Sequence, residues 1–332
     1  MRRVGGIGRF VLVAAMLAGA CSPATQPPSS PAPEREPGAT PRAQGSDATL
    51  WVAVEDASEL VLVDVASKRV TTRVRVPGRP HNLTVGANGV VAATLQRAGT
   101  VALVQNGSVS TVELGGSPHD VKATRDGLVV TNEGAGRLDL LSSGGEHVGE
   151  IPLRANPHDV AVRQDTAWVS LGGTDQIAVV DLQRREVLRY LTTGKRPHDL
   201  LFAADGRAWV TDWDGSMHVF DEQGELVKTL ELGSEAHHLT FTPDGLHAWV
   251  IDHGTHGVYV VSTRTLEVLD TLPIPGAPHH VAVTPDGRWA GVADHDRGTL
   301  VLFDVRERGR VATIPVGPGP HGVWAPGTRG AP

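Results

Sequence analysis

The 332-residue sequence predicts an all-β fold, a seven-bladed β-propeller of four-stranded antiparallel blades, and three observations carry that prediction. A short motif containing histidine returns seven times along the chain at a near-constant interval. Each interval holds four short apolar runs divided by turn residues, and the runs missing from the last copy are found ahead of the first.

In chain order, the first element is an export signal. Arg2 and Arg3 precede the apolar run FVLVAAMLAGA (10–20), which is too short to span a bilayer as a helix. The run closes on small residues before Cys21 and is similar to a bacterial lipoprotein signal, which implies cleavage ahead of Cys21 and lipidation of its thiol. Cys21 is the only cysteine, so it has no disulfide partner within the chain. Residues 22–47 carry prolines at 23, 27, 28, 31, 33, 37 and 41 and almost no bulky apolar side chain, so they cannot bury a core. They read as an extended spacer that holds a folded domain clear of the membrane. The expected organisation is a signal with its lipid-bearing cysteine (1–21), a Pro/Ser-rich disordered spacer (22–47), a propeller (48–326) and a tail (327–332). The expected location is extracytoplasmic, anchored through the lipid to the bacterial cell membrane, or to an outer membrane where the organism has one.

The propeller copies open with RPHNL at His81, SPHDV at His119, NPHDV at His158, RPHDL at His198, EAHHL at His237, APHHV at His279 and GPHGV at His321. Their spacings of 38, 39, 40, 39, 42 and 42 residues match one blade or one helical repeat. Residues 158–194 decide between these: HDVAV, AWVSL, QIAVVDL and VLRYLTT are short β-branched or aliphatic runs separated by RQD, GGTD and QRRE, so the unit is a meander. The first turn recurs as ANG, RDG, ADG, PDG and PDG, which are hairpin signals. The seventh copy stops after HGVWAP (321–326), and LWVAVE (50–55), LVLVDV (60–65) and VTTRVRV (70–76) supply its other three strands. One C-terminal and three N-terminal strands therefore close the ring and leave no free edge.

Composition agrees. Hydrophobic residues are 40% and aromatics 4%, which makes an aliphatic core, and 39 glycines with 23 prolines supply the turns. A net charge of -7 gives no electrostatic footprint for nucleic acid. PHDVAV, TPDG, AWV and the strand ends VTN (130–132) and VTD (210–212) resemble the YVTN-type β-propeller repeat, over everything after residue 48. The resemblance implies the fold; relatives of this kind include binding proteins, lactonases and metalloenzyme domains, so function rests on the site.

The first strand of a blade is innermost, so the seven histidines should ring one mouth of the central channel. Parity along the meander brings the ends of the second strands and the loops after them to the same mouth. The expected ligand-binding face is His81, His119, His158, His198, His237, His279 and His321 with Glu133, Trp213, Asp252 and Asp294. Trp51, Trp168, Trp209 and Trp249 read as blade packing, and Asp64, Asp181, Asp221 and Asp304 as turn formers. Three uses of the ring follow. In the first, each histidine hydrogen-bonds backbone of its own or the next blade, and the mouth is a binding or scaffold surface for an extracytoplasmic protein, glycan or small ligand. In the second, imidazoles coordinate copper or zinc, and the doubled histidines place that site at His237, His238, His279 and His280, with His253 and His295 beside them. In the third, similarity to lactonase-like propellers implies a hydrolase or lyase using Arg79, His81, His119 and Glu133. The expectation leans away from an enzyme and assigns no catalytic residue. Crowded imidazoles resist protonation, so their pKa values should be depressed.

Overall fold

The computed structural model describes residues 48–326; the predicted signal, Cys21, the spacer and the tail lie outside the described residues. Seven four-stranded antiparallel sheets follow one another, six of them built from consecutive strands. The remaining sheet pairs Pro320–Trp324 with Thr49–Val54, followed by Glu59–Asp64 and Arg69–Arg75, which is the predicted closure. Blades are numbered here by their histidines, from blade 1 (His81) to blade 7 (His321). No helix among the described residues is long and apolar enough to cross a membrane.

Each middle strand has apolar side chains on both faces because both faces meet a neighbouring blade. Thr49–Val54, Val91–Leu95 and Trp289–Asp294 are buried at every position. Outer strands such as Arg69–Arg75 alternate between exposed and half-buried positions, since one face is wet. The core is consequently a set of wedges between blades. Trp249 packs with Val281, Val292 and Phe303 of blade 6, and Trp209 with Leu239 and Val250 of blade 5. Trp51 and Trp168 fill equivalent wedges, as expected. Asp64, Asp181, Asp221 and Asp304 each accept backbone N–H groups of the following hairpin.

A hydroxyl joins successive blades along the channel wall. Thr94 Oγ1 donates to the carbonyl of His119 (2.7 Å), Thr131 to His158 (2.6 Å), Ser170 to His198 (2.5 Å) and Thr211 to His237 (2.5 Å). Each ring histidine from blade 2 to blade 5 is thus fixed by its predecessor. At the mouth, glycines 116, 194, 233 and 276 admit the side chains of Asn132, Asp212, Asp252 and Asp294 where a Cβ would stand.

Candidate functional site

A bulge in the innermost strand sets up the site. In blade 3, Pro157 pairs with Leu171 and Val160 with Val169, so His158 and Asp159 together oppose Ser170. The same slip occurs at Pro118/Val121, Pro197/Leu200, Ala236/Leu239 and Pro278/Val281, and opposite Val52/Val54 in blade 7. A bulge re-aims side chains, and here two consecutive residues of a strand reach the channel. The first tier is the ring of seven histidines. The second consists of the residues after them: Asn82, Asp120, Asp159, Asp199, His238 and His280, with Gly322 in blade 7.

The first tier forms a continuous ring. Centroids of adjacent imidazoles are 3.8 Å apart for His81 and His321, 4.6 Å for His81 and His119, 3.8 Å for His119 and His158, and 4.3 Å for His158 and His198. The circuit continues at 3.7 Å from His198 to His237, 5.8 Å to His279 and 4.7 Å to His321. Loops after the second strands build on it, as parity predicts. His253 stacks on His237 at 3.8 Å, His295 lies 4.6 Å from His279, and Trp213 meets the rings of His198 and His237 edge-on at 4.9 and 5.1 Å. Glu55 Oε1 is 2.5 Å from His81 Nδ1 and its other oxygen is 3.0 Å from Arg79. Glu133, expected on the ligand face, reaches to 3.8 Å from His158 Nε2 and is held by Gln96 at 3.3 Å.

Two expectations need revision. Asp252 is fully buried and its carboxylate is taken up in capping the loops at its own end of the blade, accepting from Ser234 and Glu235 N–H at 3.0 Å each and from Thr255 N–H and Oγ1 at 2.7 and 2.9 Å. Asp294 occupies the same place in blade 6, fully buried, with neither oxygen hydrogen-bonded. A backbone role for every ring histidine also fails. Nδ1 of His119 and of His237 lies 3.1 Å from the next blade's histidine carbonyl, whereas Nδ1 of His158, His198, His279 and His321 is buried without a hydrogen bond, those of His158 and His198 facing Asp159 Oδ2 at 3.4 and 3.7 Å. His238 Nε2, His253 Nε2 and His280 Nδ1 are likewise unpartnered.

Burial governs the protonation of these rings. It holds His81, His198, His237, His238 and His321 below the usual histidine range, with the charges of neighbouring imidazoles acting in the same sense. It takes His253 down to about 4 and both His279 and His280 to about 3. Neutral imidazoles keep a lone pair, which is the form that binds metals. His198, His237 and His238 offer ligand atoms within 4.8 Å of one another, and so do Glu55, His81 and His321.

Of the second tier, the sequence pattern marks only His238 and His280. Asp120, Asp159 and Asp199 are buried, and Lys122 Nζ stands 2.8 Å from Asp120. Burial and the Asp159 carboxylate push Asp199 up. For Lys122 burial acts downward, but the charges of Asp120, Asp199 and Asp159 outweigh it and raise the group.

Fold and site together define a seven-bladed propeller with a histidine-lined channel. The chain belongs to the YNCE-like beta-propeller family, which residues 149–329 match. No curated protein matches the sequence. Among solved structures, a functionally unknown protein from Desulfotomaculum acetoxidans is similar with a TM-score of 0.73 at 14% identity, over 83% of this chain and 98% of that one. Hydrazine synthase from Kuenenia stuttgartiensis gives 0.70 at 16%, over 77% and 92%. Virginiamycin B lyase from Staphylococcus aureus gives 0.66 at 16%, over 75% and 89%. At these identities the likeness is one of fold.

Proposed function

We propose that this chain is an extracytoplasmic, lipid-tethered binding module that holds a transition-metal ion, copper or zinc, on the imidazoles at its channel mouth. The observation that carries this reading is the set of buried ring nitrogens without a hydrogen-bond partner on His238, His253, His279, His280 and His321, joined by Nδ1 of His158 and His198, which face only the Asp159 carboxylate at 3.4 and 3.7 Å. Buried polar atoms in folded proteins almost always have a partner, and leaving one without costs about 1–3 kcal/mol. Several in one channel are accounted for by a ligand that takes nitrogen lone pairs. Imidazole suits copper, zinc and nickel, and depressed pKa values keep the donors neutral at neutral pH. Of the groupings whose ligand atoms lie within 4.8 Å, His198, His237 and His238 is the all-imidazole one among the described residues, with His253 stacked on His237, so the ion is assigned to the blade 4 and 5 side. Trp213 lies against that side and shields it.

The test is metal content by mass spectrometry on protein purified without a chelating tag, before and after equilibration with copper and zinc. Tightly held metal, lost in the His198→Ala/His237→Ala double variant, supports the reading. No metal retained at micromolar concentration overturns it and turns attention to protein, glycan or lactone ligands at the same mouth.

A further inference from the structure

Asp159 breaks a pattern that its neighbours keep. In blade 2, Asp120 Oδ2 accepts the N–H of Val160 in the next blade at 3.2 Å, and in blade 4, Asp199 Oδ2 accepts that of Leu239 at 2.9 Å. The corresponding N–H for Asp159 belongs to Leu200, and it is bonded instead to Asp199 Oδ1 at 2.8 Å. Asp159 is therefore released from the wall. Its Oδ1 lies 3.3 Å from His119 Nδ1 and 3.5 Å from Asn82 Nδ2. Its Oδ2 lies 3.4, 3.7 and 3.9 Å from Nδ1 of His158, His198 and His238. Groups from blades 1 to 5 thus converge on one carboxylate, which places it close to the channel axis. That Oδ2 is buried and has no hydrogen-bond partner.

Charge points the same way. Asp120, Asp159 and Asp199 are all buried, and among the described residues the lysine or arginine paired with one of them is Lys122, bonded to Asp120 at 2.8 and 3.0 Å. Asp199 Oδ2 is 3.3 Å from His238 Nδ1, and ligand atoms of Asp159, Asp199 and His238 lie within 4.8 Å of one another. Buried carboxylates this close to one another are costly, and a divalent cation offsets their repulsion and takes the lone pair of Asp159 Oδ2.

We infer a second ion site beneath the imidazole ring, in which Asp159, Asp199 and His238 hold a harder divalent cation while Lys122 neutralises Asp120. Two carboxylates and one imidazole suit manganese better than the all-nitrogen set above them does. The inference rests on the ring reading only in that an ion reaching the lower tier from the mouth passes the histidines. His238 belongs to both donor sets, so its loss weakens both sites.

The experiment is a manganese titration of the full chain, following the free-ion signal by electron paramagnetic resonance, beside zinc stoichiometry by mass spectrometry. The expected result is one manganese bound per chain, and two zinc ions in the absence of manganese. In Asp159→Asn, which preserves the side-chain shape, manganese affinity falls at least about tenfold while one zinc stays on the ring. In His198→Ala/His237→Ala, manganese binding is kept and the ring zinc is lost. Wild-type protein that binds zinc but no manganese, or an Asp159→Asn chain that binds manganese as wild type does, overturns the lower site and leaves the ring reading standing. A chain that holds no metal overturns both.

Discussion

At the scale of single residues, the channel wall separates hydrogen-bonding groups that build the ring from groups left free within it. Thr211 belongs to the first kind: it donates to the His237 carbonyl across the blade junction and accepts from Asp199 N–H. Thr211→Val keeps the shape but leaves a buried carbonyl and a buried amide unsatisfied. It should cost about 1–3 kcal/mol in urea unfolding and should lower metal affinity, because it loosens His237. His321 belongs to the second kind, with a buried Nδ1 that no neighbour uses. Trp249 is a packing residue without a share in the site. Trp249→Ala should cost about 3–5 kcal/mol by the same unfolding measurement, with metal stoichiometry unchanged in the protein that remains folded.

At the scale of elements, the bulged inner strand and the shared blade decide the architecture. The bulge is a local slip of one residue, yet it doubles the number of side chains that each inner strand sends into the channel. The shared blade is held by the strand Pro320–Trp324, whose partners are Thr49–Val54 and, through Gly322 N–H, the carbonyl of His81 in blade 1. Truncation after residue 317 removes that strand and His321, exposing one edge of Thr49–Val54 and the wedge that holds Val323. The expected outcome is a chain that aggregates or melts well below the parent, since unpaired edges template association. A truncated chain with the parent's melting temperature would show that closure contributes nothing.

At the scale of the whole molecule, the crowding of imidazoles couples stability to pH. In the folded state burial depresses the pKa values of His81, His198, His237, His238 and His321, and those of His253, His279 and His280 reach about 3 to 4. Unfolding returns each to about 6.5, so the unfolded chain binds more protons and stability falls as pH drops through that value. Each such histidine withdraws about 1.4 kcal/mol for every pH unit below 6.5, until its folded pKa is reached. The melting temperature should be level from pH 8 to 7 and drop steeply between pH 6.5 and 5. Saturating zinc should raise the midpoint at pH 7 and lose that effect toward pH 5, as protons displace the metal. An unchanged midpoint down to pH 5 would contradict the burial of these rings.

The sequence by itself determined the number of blades, the closure of the ring, the packing tryptophans and the histidine tier. All of these are periodic, and a repeat imposes the same placement on every copy. Tertiary structure decided what periodicity cannot express. Strict strand alternation would turn Asp120, Asp159 and Asp199 away from the histidines that precede them; a backbone bulge, which has no side-chain signature here, brings both to the channel. Asp252 and Asp159 are both acids near the mouth in the sequence. One caps loops and the other turns to the channel histidines, because backbone N–H groups reach the first and are already taken beside the second.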